Sequence, residues 1–188
     1  MTDDMMDWKI KLAADFLTGV LPSEDWDDPH LMETPERLVK LLTDMTTPED
    51  FGFTVFDNTE MIDQMICVSN IPFYSLCRHH IVPYFGVAHV AYIPQAKICG
   101  LSKLARCVHA HAKGLTVQEH LTNDIGDDLE TKLNPKGVAV VLEAEHLCMT
   151  MRGVKAAGTM TDTSYMQGVF LDPEKQARQE FFQLVRSK

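Results

Sequence analysis

The chain's 188 residues suit one domain, or one domain with a small appended part, and a chain this long can bury on the order of 70% of its unfolded surface without disulfide or metal staples. With 45% hydrophobic and 23% charged residues it reads as globular rather than disordered. Its 27 acidic and 17 basic residues give a net charge of −10, which argues against polymeric nucleic acid or an anionic membrane surface as a partner. The opening MTDDMMDWKI has neither a basic leader nor an apolar run, so a cytoplasmic protein with reduced thiols is expected. The longest stretch free of Asp, Glu, Lys and Arg, His79 to Ala96, is broken by His and Pro and reads as buried strand, not as a membrane span.

In chain order, Trp8 to Val20 carries a helical stripe of Ile10, Ala13, Ala14 and Leu17 that stops near Gly19 and Pro22. After the acidic loop SEDWDDPH, a second helix is expected from Thr34-Pro35, with Thr as cap and Leu38, Leu41, Leu42 and Met45 as its apolar face. Phe53 to Asn70 reads as strand or hairpin. Phe85 to Ile93 is apolar at nearly every position, as a strand covered on both faces would be. Leu101 to Gly114 is a helix, and a further one begins at Thr116 with Glu119 at capping-box spacing and is stopped by Asn134-Pro135-Lys136-Gly137. Gly137 to Met149 and Thr159 to Phe170 read as strands, and Pro173 to Arg186 as a closing amphipathic helix. This order predicts an α+β sheet with helices on one face.

Cys77-Arg78-His79-His80 and His146-Leu147-Cys148 carry the sharpest chemistry. A Cys-x-x-His pair at a strand end can supply two zinc ligands, and a distant strand the third. If the strand runs on to Met149, His146 and Cys148 share a face. Three protein ligands, Cys77, His80 and Cys148, would leave a fourth position open, as in catalytic zinc, with His79 and His146 free for proton transfer. The same residues also allow a plain reading, in which His146 is a satisfied core histidine and Cys148 a small buried hydrophobe. Cys67, Cys99, Cys107, His89 and His120 have no supporting neighbours and read as structural. Opposite the apolar stripe of the Leu101 helix lie Lys103, Arg106 and Lys113, with His109 near them. With Arg152 they form either an anion site or a solvated face.

The segments LMETPERLVK, SLCRHHIVPYFGVAHVAYIP, GLSKLAR, LTVQEHLT, GVAVVLEAEHLCMTMRGV and TSYMQGVF, in this order and spacing, resemble GTP cyclohydrolase I from about Pro29 to the end. The resemblance implies the tunnelling fold: a four-stranded antiparallel sheet with two helices on one face, here over residues 53–188, preceded by an N-terminal helical region over 1–52. It implies zinc on Cys77, His80 and Cys148, and His79, His146 and Ser102 as catalytic residues. Gln118 and Glu119 would recognise guanine. Ser102 and Lys103 would meet the ribose and phosphate portion, and Arg37, Lys40, Arg106 and Arg152 the triphosphate. The implied reaction is hydrolysis of GTP to formate and 7,8-dihydroneopterin triphosphate, in a ring-shaped homodecamer with sites shared between subunits.

One position departs from the family pattern. Arg78 stands where the family usually has Glu, reversing a charge beside the zinc loop. That motivates an alternative, a catalytically impaired family member serving as an assembly or regulatory subunit. A zinc nucleobase deaminase is disfavoured, because its His-x-Glu and Pro-Cys-x-x-Cys elements are missing. The nitrile reductase of deazaguanine synthesis, which shares the fold, is disfavoured by the full zinc set.

Overall fold

The structure, a computed structural model, describes residues 3–22 and 24–186; Ser23, which heads the acidic loop, and the extreme termini lie outside the described residues. The chain divides into two compact units, Met1–Thr47 and Pro48–Lys188.

The first unit pairs two helices, α1 (Asp3–Val20) and α2 (Thr34–Thr46). α1 starts five residues ahead of the sequence expectation, and Asp4 places negative charge at the positive end of the helix dipole. In α2, Thr34 is the first helical residue rather than the cap. Glu33 holds the cap position without a side-chain bond, and Pro35 is buried in the first turn. Among the described residues no helix is long and apolar enough to cross a membrane.

The second unit contains β1 (Val55–Asp57), β2 (Ile66–Cys77), β3 (Pro83–Ile93), β4 (Lys97–Cys99), α3 (Leu101–Ala112), β5 (Leu115–Thr116), α4 (Gln118–Leu133), β6 (Gly137–His146), α5 (Leu147–Thr150), β7 (Met160–Gly168) and α6 (Ala177–Arg186). It is a mixed α/β unit built on antiparallel pairing. β2, β3, β6 and β7 form consecutive antiparallel neighbours, while the short β5 extends the sheet in parallel beside β2. β1 and β4 make a separate antiparallel pair. The stretch expected as a strand or hairpin over 53–70 therefore splits: β1 turns toward β4, and β2 starts only at Ile66 but runs through to Cys77. Midway, β2 bulges between Val68 and Ile71. There Asn70 is left-handed (φ 57°), and its backbone N–H donates to Nδ1 of the buried His89 at 3.3 Å, which gives that histidine a structural task.

Both faces of β3 and β6 are covered, which explains their continuous apolar run. On one face Ala88, Val90, Tyr92, Val138, Val140 and Leu142 meet Leu104 and Val108 of α3 and Leu121, Ile125, Leu129 and Leu133 of α4. On the other, Ala91, Ala139 and Val141 meet Phe170 and Ala177, Phe181 and Val185 of α6. Each fully buried Leu, Ile or Phe contributes on the order of 1.5–3 kcal/mol.

Close approach of β3 to β6 rests on Gly86. A Cβ added there would strike the backbone carbonyl of Glu143, which cannot move without breaking the ladder. Gly86→Ala is therefore expected to destabilise the fold by about 1–3 kcal/mol, read as a lowered denaturation midpoint. A midpoint equal to that of the unmutated protein would show that the two strands can separate freely at this point.

Candidate active site

The ends of β2 and β6 reach the same edge of the unit because β3 lies between them. Tyr84 of β3 pairs with Ser75 on one side and with His146 on the other. Beyond Cys77 the chain reverses tightly: the Cys77 carbonyl accepts from the N–H groups of His80 (3.3 Å) and Ile81 (2.8 Å), and Cys77 N–H donates to Val82 O at 2.9 Å. Ile81 takes a left-handed conformation (φ 54°) to complete the turn. This folds two histidines back over the cysteine, with Nδ1 of His79 and Nδ1 of His80 each 3.8 Å from Cys77 Sγ.

Cys148 arrives differently from the sequence expectation. β6 ends at His146, and residues 147–150 form one helical turn, so Cys148 does not share a strand face with His146. The turn nevertheless brings its sulfur into the cluster: the donor atoms of Cys77, His80 and Cys148 all lie within 4.8 Å of one another. Burial, followed by the neighbouring Cys77, raises the Cys148 thiol above its ordinary pKa.

Cys77, His79, Gln118, Glu119, His146 and Cys148 line one cavity of about 200 Å³, together with Thr116 and Thr161. His146 lies flat against Tyr84, with ring centroids 4.5 Å apart and planes 3° from parallel. Its Nε2 is 2.6 Å from Gln118 Oε1. Burial lowers the His146 pKa, opposed by the charge of Glu119. Glu119 is exposed in the first turn of α4. The expected capping box does not form: Val117 occupies the cap, and the Thr116 hydroxyl instead bonds to Tyr84 and Ser75. Glu119 is thereby left without a capping task.

The basic residues are placed less tightly. Ser102 and Arg106 are exposed on α3, and Arg152 is exposed beyond α5. Lys103 Nζ donates to Gly52 O at 2.7 Å and Phe51 O at 3.4 Å, tying α3 to the segment before β1. In the first unit Arg37 pairs with the cap residue Glu33 at 2.6 Å and Lys40 with Glu36 of α2 at 2.5 Å, both exposed pairs. Arg78 has an exposed side chain, and its backbone N–H donates to Thr116 O at 2.9 Å.

A second group of potential metal donors, Cys107, His111 and Asp128, lies apart from the cavity. Lys132 supplies the cation there, 2.7 Å from Asp128 Oδ2, and burial pushes the Cys107 thiol far up, so this group is a hydrogen-bonded anchor between α3 and α4. Sequence reasoning passed over Tyr84 and Thr163 and read Thr116 only as a cap, because their partners are distant in the chain and no local periodicity marks them.

A family model described as GTP cyclohydrolase I matches residues 14–186. A protein of Aquifex aeolicus (strain VF5) named GTP cyclohydrolase 1 is 49% identical over 179 residues, covering 95% of this chain and 96% of its own. The protein of that name from Hydrogenobaculum sp. (strain Y04AAS1) is 48% identical over 171 residues, covering 91% and 92%. The one from Thermoanaerobacter pseudethanolicus (strain ATCC 33223 / 39E) is 46% identical over 187 residues, covering 96% and 97%. Among solved structures, the archaeosine synthase QueF-Like in the apo form aligns with a TM-score of 0.47 at 15% identity, over 55% of this chain and 93% of that one.

The donor cluster separates ligands from neighbours. Cys148→Ser is expected to lose a bound metal, measured as metal per chain after gel filtration, and His146→Ala to retain it. Loss of metal from His146→Ala would place that imidazole among the ligands.

Proposed function

The chain belongs to the GTP cyclohydrolase I family, and from that premise we propose that it hydrolyses GTP with zinc as cofactor, releasing formate and rearranging the remainder to 7,8-dihydroneopterin triphosphate. The observation that carries this reading is that Cys77, Cys148, His79, His146 and Glu119 line one cavity, while the donor atom of His80 lies within 4.8 Å of those of Cys77 and Cys148. The donor set fits zinc. Tetrahedral zinc with Zn–S near 2.3 Å and Zn–N near 2.0 Å separates its sulfur and nitrogen ligands by about 3.6 Å. The 3.8 Å between Cys77 Sγ and His80 Nδ1 is close to that spacing.

Cys77, His80 and Cys148 would hold the zinc, which would supply Lewis-acid activation of water at neutral pH for attack on C8 of the purine. The chain's own residues do the rest. His146, held flat and half-buried, delivers a proton to N7 as the imidazole ring opens. His79, exposed beside Cys77, and Ser102 on α3 carry protons in the later hydrolysis and ribose rearrangement. The Glu119 carboxylate accepts hydrogen bonds from the guanine N–H groups. Lys103, Arg106 and Arg152 orient the triphosphate, and the family pattern adds Arg37 and Lys40. Their contribution is binding and alignment.

The cavity's volume of about 200 Å³ falls below the roughly 300–1,000 Å³ of complete ligand pockets, so it suits the purine and leaves the ribose and phosphates outside. That supports sites completed by neighbouring subunits of a ring, the homodecamer of the family. So do the large apolar side chains left exposed on the second unit, among them Tyr74, Leu101, Met151 and Val154. The antiparallel β2, β3, β6 and β7 with α3 and α4 on one face support the tunnelling fold.

Arg78 bears on the alternative of an impaired subunit. Its exposed side chain favours the active reading, since its only hydrogen bond among the described residues, to Thr116 O, is made by the backbone and does not depend on the side chain.

Two measurements follow. Zinc-loaded protein given saturating GTP is expected to release formate and a pterin that fluoresces after oxidation; no formate at one zinc per chain would reject the hydrolase and favour the impaired subunit. Arg78→Glu is expected to preserve or raise turnover, and a collapse would show that Arg78 has a compensated role of its own.

A further inference from the structure

Around His146 the direction of each hydrogen bond can be assigned from chemistry. Gln118 is 1% exposed, and its Nε2 lies 3.1 Å from Leu142 O, 2.8 Å from Thr161 O and 3.1 Å from Thr163 Oγ1. Backbone carbonyls can only accept, so the amide NH₂ faces them and Oε1 faces His146 Nε2, 2.6 Å away. Thr122 donates its hydroxyl to Gln118 O at 2.7 Å, so across the 2.6 Å contact between the two threonines Thr163 is the donor. The result is a one-way ring from the Gln118 amide to Thr163, to Thr122 and back to the Gln118 carbonyl.

A second one-way chain anchors the aromatic ring stacked on the imidazole. Ser75 donates to Ala112 O at 2.7 Å, so it accepts from Thr116, also at 2.7 Å, and Thr116 accepts from the Tyr84 hydroxyl. Tyr84 is fully buried, held at its oxygen with its face against His146.

We infer that Gln118 is a positioning residue for His146: its Oε1 takes the Nε2–H, holds the neutral imidazole in that tautomer and leaves Nδ1 as the nitrogen that exchanges a proton with substrate. The inference rests on the reading of His146 as the ring-opening acid. Among the described residues Nδ1 makes no hydrogen bond. With His146 as the imidazolium, a proton on each nitrogen, hydroxide left by deprotonation of water bonds to C8, the π pair of the C8–N7 double bond moves to N7 and takes the proton from Nδ1, so one N–H bond breaks and another forms. The imidazole left behind is already the tautomer that Gln118 holds, and no proton has to cross the ring. The Gln118 NH₂ is then engaged by the sheet, and the donors of the base are met by the Glu119 carboxylate.

The decisive experiment is solid-state ¹⁵N spectroscopy of histidine-labelled, zinc-loaded protein at alkaline pH, with the His146 signals identified by their loss in His146→Ala. The expected result is a protonated Nε2 and a bare Nδ1, giving way to a mixture of tautomers in Gln118→Leu. A proton on Nδ1 in the unmutated protein overturns the inference. This readout needs no turnover, so failure of the proposed reaction is seen separately, as absent formate.

Kinetics supply the second arm. Gln118→Leu is expected to lower kcat about 10–100-fold. The same change made in a His146→Ala background is expected to alter the GTP Kd less than about threefold, whereas a tenfold rise (about 1.4 kcal/mol) would assign Gln118 to base recognition and overturn the inference. Should Gln118→Leu fail to assemble, Thr163→Val tests the outer link while leaving both carbonyl acceptors in place. A lowered kcat at constant KM, restored by Thr163→Ser, supports the positioning role, and a raised KM at constant kcat refutes it.

Discussion

The register of β3 against its two neighbours is the constraint on which the rest of this structure depends. Tyr84 faces Ser75 across one ladder and His146 across the other. Because side chains alternate with a period of two, a slip of one residue in either ladder would turn the donors at that strand's end away from the cavity. The register is held by burial on both faces. A slip would carry Ala88, Val90 and Tyr92 from the α3 and α4 side to the α6 side, where the space is shaped for Ala91, Ala139 and Val141. Chemistry at the strand ends is thus specified by packing along the strands' whole length.

Charge in this protein is organised locally. A chain of net charge −10 is an unpromising host for a triphosphate when judged by its sum. Yet Lys103, Arg106 and Arg152 share the unit that holds the cavity, and Lys103 is steadied by the Phe51 and Gly52 carbonyls. Attraction between charges fades over a Debye length of about 8 Å at physiological salt, so a highly charged ligand responds to the cations beside it more than to acidic residues elsewhere. Asp128 shows the same locality: Lys132 and His111 hold its carboxyl below the usual range against the upward push of burial.

Much of the fold was legible because its signals are local. The continuous apolar run of β3 announced burial on both faces, and Asn134-Pro135-Lys136-Gly137 announced the end of α4. The cysteine and histidine donors were legible as residue types at short spacing, and the cluster holds those same three residues. What escaped depends on partners distant in sequence. Thr116 looked like a cap, but its hydroxyl is taken by Tyr84 and Ser75, which only the folded sheet brings near. His146 and Cys148 looked like one strand face, but the chain coils after His146, and Cys148 reaches the cluster through a helical turn. The resemblance marks Gln118 as a guanine contact beside Glu119, and the two carbonyls and the hydroxyl of β6 and β7 around its NH₂ are equally invisible in the sequence.

The two-residue β5 has a consequence out of proportion to its size. Its pairs Leu76↔Leu115 and Cys77↔Thr116 splice the start of α4 onto the very end of β2. The helix that presents Glu119 and the strand that presents Cys77 are therefore one mechanical piece. A group held at the Cys77 turn and one held at the first turn of α4 would each act on the same paired backbone. If binding at either position orders that backbone, occupancy of the two would be linked and reciprocal, each raising the other's affinity by the same factor.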